Sequence, residues 1–170
     1  MPFRVAISNA DESLRPGEGG ADGAERLARL KAEQVARREP LPVLGADTVV
    51  LCEGRILGKP GSPAEAADML RLLSGRTHDV VTGLCLVQAG RAYSGRERTA
   101  VTFSPLTNDD IAWYTATGEP LDKAGAYHVD GRGGLFIESV SGSPSNVAGL
   151  PVRLFLRLVR EARVPVGLPV

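Results

Sequence analysis

The chain has 170 residues with 20 basic and 20 acidic side chains, 43 % hydrophobic and 24 % charged. That length supports one domain, expected over residues 1–170, with a core that needs no staples. Zero net charge argues against a nucleic-acid scaffold or a membrane-surface binder, both of which need a cationic excess, and no apolar run approaches the roughly 18 residues of a membrane span.

Pro16 to Gly23 is rich in glycine and acid and reads as a surface loop. Leu27, Leu30 and Val35 then give a partial helical stripe over Ala24–Arg38, ended by Pro40 and Pro42. Val43–Leu51 is a nearly continuous apolar run, the pattern of a strand covered on both faces. Glu53-Gly54-Arg55 turns it back through Ile56-Leu57. Ser62-Pro63-Ala64-Glu65 is a capping box with proline at the first helical position; its helix runs through Met69, Leu70, Leu72 and Leu73 to Gly75. His78–Val87 and Arg98–Phe103 are β-branched and partly alternating, with turn signals at Ala89-Gly90 and Ser94-Gly95, so they predict antiparallel strands. Thr107-Asn108-Asp109-Asp110 caps a short helix carrying Ile111, Trp113 and Tyr114. A last strand at Leu135–Glu138 precedes a closing helix over Leu150–Ala162. Mixed strand and helix order with at least one hairpin predicts an α/β or α+β domain around a mixed sheet. Cys52 and Cys85 lie in apolar stretches, spaced for neither zinc nor a disulfide framework. With no signal-peptide pattern after Met1, the expected compartment is the cytoplasm.

Seventeen of the 20 basic residues are arginine; the three lysines are Lys31, Lys59 and Lys123. A bias toward arginine converts indifferent surface lysines, so the survivors are candidates for work that needs a compact ammonium, such as contact with a phosphate oxygen. Their neighbours are glycine, proline and carboxylates rather than solvated charge runs. Asp47 is anomalous, because a carboxylate within an apolar strand is costly unless paired or bound to a metal. Either Gly45 bends the strand and Asp47 caps the turn, or Asp47 and Thr48 stand where the strand opens into a cleft. In the second case Asp47 can take a proton from water or hold a divalent cation. Leu57-Gly58-Lys59-Pro60-Gly61 allows a close backbone approach to an anion but lacks the spacing of a Walker loop. Gly118 to Tyr127 packs Glu119, Asp122 and Lys123 among small residues, and reads as an ion-paired turn or as the wall of a ligand site. Asn146-Val147-Ala148-Gly149-Leu150-Pro151 sets an amide beside a helix start, a candidate anion or base-edge site. His78 and His128 stand without i, i+4 partners and read as structural or rim residues.

Taken in order, these runs resemble the Maf family of nucleoside triphosphate pyrophosphatases. The resemblance is carried by Gly45–Val50, Leu57–Pro60, Leu73–His78, Thr82-Gly83, Thr117–Pro120, Asp122–Tyr127 and Asn146–Pro151, with Asp11-Glu12 and Leu27–Ala32 fitting the early acidic pair and helix lysine. It implies a bent, mixed sheet flanked by helices, with a two-lobed nucleotide cleft. It also implies hydrolysis of a nucleoside triphosphate, standard or modified, to the monophosphate and pyrophosphate, a house-cleaning reaction. Asp47 would then be the catalytic proton acceptor, and Lys31, Lys59 and Lys123 would cover the phosphates. Glu12, Asp47 and Asp122 would form the shell of a divalent cation, Mg2+ or Mn2+. Asp130 and Asn146 would read the base, and a homodimer is the implied assembly, with neither nucleic acid nor membrane as partner.

Two departures from the family pattern carry expectations of their own. The Ser-x-x-Arg-Arg segment that precedes the acidic pair in the family has no counterpart in these 170 residues. Either the start is placed too far downstream, or the segment is truly lacking, which predicts uncovered apolar surface and favours an alternative: a catalytically silent nucleotide-binding protein acting through partners in cell-division control. Where pyrimidine-preferring members carry Ile-Gln-Gly, this chain has Val129-Asp130-Gly131, so a base preference does not carry over from the motif alone.

Overall fold

The structure, a computed structural model, describes residues 2–165. Residues 2–15 contain no helix or strand; Phe3, Val5 and Ile7 are each more than three-quarters exposed, so apolar surface is uncovered in this segment. Helix α1 (Gly20–Ala36) leads into strands β1 (Val43–Cys52) and β2 (Arg55–Leu57), then helix α2 (Pro63–Leu73) and the long hairpin of β3 (Thr77–Gln88) and β4 (Arg91–Phe103). Helix α3 (Asn108–Ala116), three short 3-10 turns between Glu119 and Phe136, β5 (Ile137–Ser141), α4 (Pro144–Val147) and α5 (Val152–Glu161) complete it. The sheet runs β2-β1-β3-β4-β5, every pairing antiparallel, with a register shift at Thr102/Phe103 where β5 joins. This is the expected α/β architecture of a central sheet flanked by helices, corrected in one respect: the sheet is wholly antiparallel rather than mixed.

Alternation along the strands divides the core between the two faces of the sheet. Val50, Val80, Val101 and Phe103 pack under α2, α3, Tyr127 and Phe136. Farther along that same face, Leu84 and Leu86 meet Leu154, Leu158 and Val159 of α5. Across the sheet, Val49 and Val81 meet Ala24, and Cys85 and Val87 meet Ala28 and Ala32, all on α1. Both cysteines are free and buried. No helix among the described residues is long and apolar enough to cross a membrane.

Local chemistry accounts for most element ends. The Ser62 hydroxyl accepts from Glu65 N at 3.1 Å with Pro63 in the first turn. At α3 the Thr107 hydroxyl accepts from Asp110 N while Asp110 accepts from Thr107 N, a reciprocal capping box. Two expectations are corrected. Helix α1 starts at Gly20, inside the expected loop, because Gly20 and Gly23 lie against Leu51 and Leu14 where a Cβ would collide. Ser94-Gly95 is no turn but mid-strand in β4, opposite Leu84 and Cys85; its glycine leaves room for Leu154 and Arg157 of α5.

One packing device positions the site. A Cβ on Gly45 would stand 2.3 Å from Ala28 O, and one on Gly83 would stand 2.5 Å from Ala24 O. Those two glycines, on neighbouring strands, make a flat seat on which the Ala24/Ala28/Ala32 seam of α1 lies backbone to backbone. Gly45 therefore admits a helix rather than bending a strand, and that close approach carries Lys31 to Asp47.

Candidate active site

A cleft of about 640 Å3 opens beside β1. Glu12, Leu14, Leu27 and Lys31 form one wall. The opposite wall comprises Gly58-Lys59, Asp122–Ala124 and Tyr127–Val129, with Ala46–Val49 and Val147–Gly149 completing the lining. All three lysines of the chain line it, and none of its arginines does among the described residues. The cleft is charged where Lys31, Lys59, Lys123, Glu12, Asp47 and Asp122 gather and apolar at Leu14, Leu27, Ile56 and Val129.

The Lys31 ammonium donates to Asp47 Oδ1 at 2.7 Å and lies 2.9 Å from Glu12 Oε2. Burial pushes the Asp47 carboxyl above the ordinary carboxylate range, and the Lys31 hydrogen bond and charge only partly oppose that. Burial works against the Lys31 ammonium too, but its hydrogen bonds with Asp47 and Glu12 hold its pKa above the usual lysine value. Asp47 is thus an ionisable base whose affinity for a proton is raised by its surroundings, as a proton acceptor requires.

Lys59 reaches the same floor from the β2–α2 loop, where its charge favours the ionised forms of both Asp47 and Asp122. It makes no ion pair within 4 Å among the described residues, so its three donors are open to an incoming anion. Lys123 pairs with its neighbour Asp122, and that hydrogen bond holds the Asp122 carboxyl below its ordinary value. The wall carrying them is fixed to the Lys59 loop by Gly125 N donating to Gly58 O at 3.0 Å. Gly125 has φ +70°, and a Cβ there would stand 2.7 Å from Val50 Cγ2, so glycine is required for both conformation and space.

Behind that wall Glu119 joins a hydrogen-bonded brace that no local sequence pattern announces. Glu119 Oε1 accepts from Tyr114 Oη at 2.8 Å and from Gly133 N at 3.1 Å, and Tyr114 Oη accepts from His128 N at 3.0 Å. Burial raises the Glu119 carboxyl, but these hydrogen bonds outweigh it and keep the group below its usual range. A tyrosine and a glutamate five residues apart carry no periodic signal; only the fold shows that they meet. His78 is buried against Phe103 and Tyr127, with its Nε2 2.9 Å from Tyr127 Oη. His128 lines the cleft, so the two histidines take the structural and rim positions expected of them.

The expected base readers are placed differently. Asn146 is fully buried; its amide donates to Val80 O at 2.9 Å and Thr99 Oγ1 at 3.0 Å, tying α4 to the β3–β4 hairpin. It has no exposed atom with which to read a base, and Val147, Ala148 and Gly149 reach the cleft instead. Asp130 is exposed and lies outside the lining. Of the three expected cation ligands, Glu12 and Asp47 converge on one cationic point, whereas Asp122 belongs to the other wall. No three acidic, histidine or cysteine side chains gather to hold a metal among the described residues.

An antiparallel sheet flanked by helices, with three lysines gathered about a buried carboxylate in one cleft, defines the class as an α/β protein. The family model described as "Maf-like protein" matches residues 1–162, and the chain belongs to that family. It is 54 % identical over 155 residues to a dTTP/UTP pyrophosphatase of Moorella thermoacetica, covering 89 % of this chain and 80 % of the relative. It is 44 % identical to the Symbiobacterium thermophilum protein of that name, over 98 % of this chain and 86 % of the relative. For the Bacillus cytotoxicus protein of that name the identity is 46 %, over 96 % and 84 %.

Proposed function

We propose that this chain is a nucleoside triphosphate pyrophosphatase that cleaves the α–β phosphoanhydride, with dTTP and UTP as its preferred class of substrate. The observation that carries the reading is the gathering of every lysine in an arginine-rich chain around one buried carboxylate. Kinship with relatives named for dTTP and UTP supports the choice of base. The departure at Asp130 does not weigh against it, since that side chain stands outside the cleft lining.

In this reading Asp47 accepts the proton of a water that attacks the α-phosphorus, and pyrophosphate leaves with its charge met by Lys59 and Lys123. Nucleophile and leaving group are in line across phosphorus, so base and lysines need different sides of the cleft. Asp47 on β1 and Lys123 on the facing wall fit that demand. The apolar end at Leu14, Leu27 and Ile56 suits the flat nucleoside. Glu12 and Asp47, whose oxygens converge within 3 Å of one cationic point, fit a Mg2+ or Mn2+ ion that takes one or two carboxylates and completes its shell with water and phosphate oxygens. Such an ion, when bound, supplies charge neutralisation and polarisation of the phosphoryl oxygens. Two free buried thiols agree with the reducing cytoplasm, where nucleotide pools lie.

Products decide the matter. The chain is incubated with dTTP, UTP, dCTP, ATP and GTP and either Mg2+ or Mn2+, and products are separated by anion exchange. Pyrophosphate and monophosphate in equal amounts, with dTTP and UTP turned over fastest, are expected. Release of inorganic phosphate and diphosphate would move the cleavage to another bond and sink the assignment. Nucleotide binding without any product would leave the silent binding protein as the reading.

A further inference from the structure

The Lys31 ammonium stands on the point at which Glu12 and Asp47 converge, 2.9 Å from one carboxylate and 2.7 Å from the other. Those are also the two carboxylates that the proposed function gives to a divalent cation, and no further acidic, histidine or cysteine side chain joins them among the described residues. One seat therefore has two claimants of like charge. A divalent ion of the Mg2+ type needs carboxylate oxygens at about 2.0–2.1 Å, which would bring it against the like charge of an ammonium already donating to Asp47 Oδ1 and lying beside Glu12 Oε2. The contest is sharpened by burial: the Lys31 side chain is 19 % exposed and that of Asp47 11 %, so solvent screens their charges poorly.

We propose that Lys31 is a resident counter-cation that keeps divalent metal out of the nucleotide-free cleft, so that metal enters together with the triphosphate. The inference rests on Glu12 and Asp47 being the cation seat. A triphosphate relieves the contest from both sides, offering the ammonium new oxygen partners and giving the metal the ligands that two carboxylates leave missing. Moving between these positions suits lysine in particular. Its four-carbon stem swings a compact charge, whereas a guanidinium would grip the carboxylates through a rigid fork. That accounts for lysine at position 31 in a chain where 17 of 20 basic residues are arginine. Lys31 is then a positioning residue, acting through what it excludes before it meets the phosphates.

The test reads metal directly and needs no turnover. Mn2+ binding is titrated by the loss of the free-ion electron paramagnetic resonance signal, on the wild-type chain, Lys31→Met and Lys31→Gln, with circular dichroism confirming that each is folded. Without nucleotide, wild type is expected to bind Mn2+ at least tenfold more weakly than either variant, and Lys31→Met combined with Asp47→Asn to lose the gain. Adding a nucleoside triphosphate with a methylene bridge between the α- and β-phosphorus should bring wild type up to the variants. Equal Mn2+ affinity of nucleotide-free wild type and both variants would overturn the proposal, as would a gain that survives Asp47→Asn. Pyrophosphate release by wild type is measured alongside. Turnover with unchanged Mn2+ affinity in the variants sinks the resident cation alone, whereas the expected Mn2+ pattern without turnover sinks only the pyrophosphatase reading.

Discussion

Two grooves of nearly equal size mark this surface, one of about 640 Å3 beside β1 and one of about 680 Å3 between β4 and α5. Volume does not tell them apart; their cations do. The α5 groove is lined by Arg96, Arg153, Arg157 and Arg160 with Glu97 and Glu161 and no lysine. Its pairs are wet: Arg157 meets Glu161 one turn along the helix at 3.4 Å with both side chains about half exposed, and Arg96 reaches an Asp22 carboxylate of α1 that is 70 % exposed. Pairs of that kind contribute little, since solvent screens them and long side chains lose entropy to hold one geometry. In the β1 cleft the Lys31–Asp47 pair is four-fifths or more buried and joins residues from two elements. The comparison teaches that in an arginine-biased chain, a guanidinium stripe on a helix reports composition, while ammonium groups beside a dry carboxylate report chemistry.

The sharpest way to break that contrast is Asp47→Asn. If Asp47 is the proton acceptor, kcat falls by roughly 10²–10⁴-fold, the usual contribution of a general base, in a protein that still binds nucleotide. The wild-type pH profile carries a second signature. Activity needs the ionised carboxylate, so kcat/KM falls as pH drops through the Asp47 pKa. Because burial raises that pKa, the fall begins above the ordinary carboxylate value of about 3.9. A limb at the ordinary position, or a variant with near wild-type turnover, would take Asp47 out of the chemistry.

Next in size is an exchange of cation types between the grooves. Lys59→Arg keeps the charge but replaces a compact donor with a planar fork, and kcat/KM is expected to fall about tenfold, the loss of one contact worth roughly 1.4 kcal/mol. Arg157→Lys on α5 should leave kcat/KM alone and shift stability by less than about 0.5 kcal/mol. Parallel kinetics and thermal melts of the two variants decide it; equal effects would mean that cation identity carries no information here.

How much of this was legible in the sequence follows the range of the interactions. Ser62/Glu65 and Thr107/Asp110 cap their helices through neighbours three residues apart, so α2 and α3 could be read from residue types alone. The cleft lysines could be singled out because a compositional bias made them rare. Features whose cause lies elsewhere in the chain could not. Gly95 looked like a turn because its reason, the side chains of Leu154 and Arg157, is about 60 positions away. Asn146 looked like a base reader because an amide beside a helix start has two plausible uses, and only burial against Val80 and Thr99 separates them. Tyr114 and Glu119 could not be paired from residue types, because their brace needs His128 and Gly133 brought to them.

His78 offers the finest test of the same distinction, since it is polar and buried yet stands behind the cleft rather than in it. Burial holds its pKa down at about 4, against 6.5 in the open chain. Between those values the unfolded chain binds a proton that the folded chain refuses, so stability rises with pH there. The contribution is fully present above pH 6.5 and is lost as pH falls toward 4. Between pH 7 and 5.5 that single group removes about 1 kcal/mol by linkage. His78→Phe unpartners the Tyr127 hydroxyl and lowers stability at every pH, but it abolishes this part of the slope. Urea unfolding of both chains at pH 7 and 5.5 should show the wild type losing about 1 kcal/mol more than the variant. Identical losses would mean that His78 takes up its proton without leaving its pocket. The layer behind the cleft would then be wetter than the packing of Phe103 and Tyr127 around the ring implies.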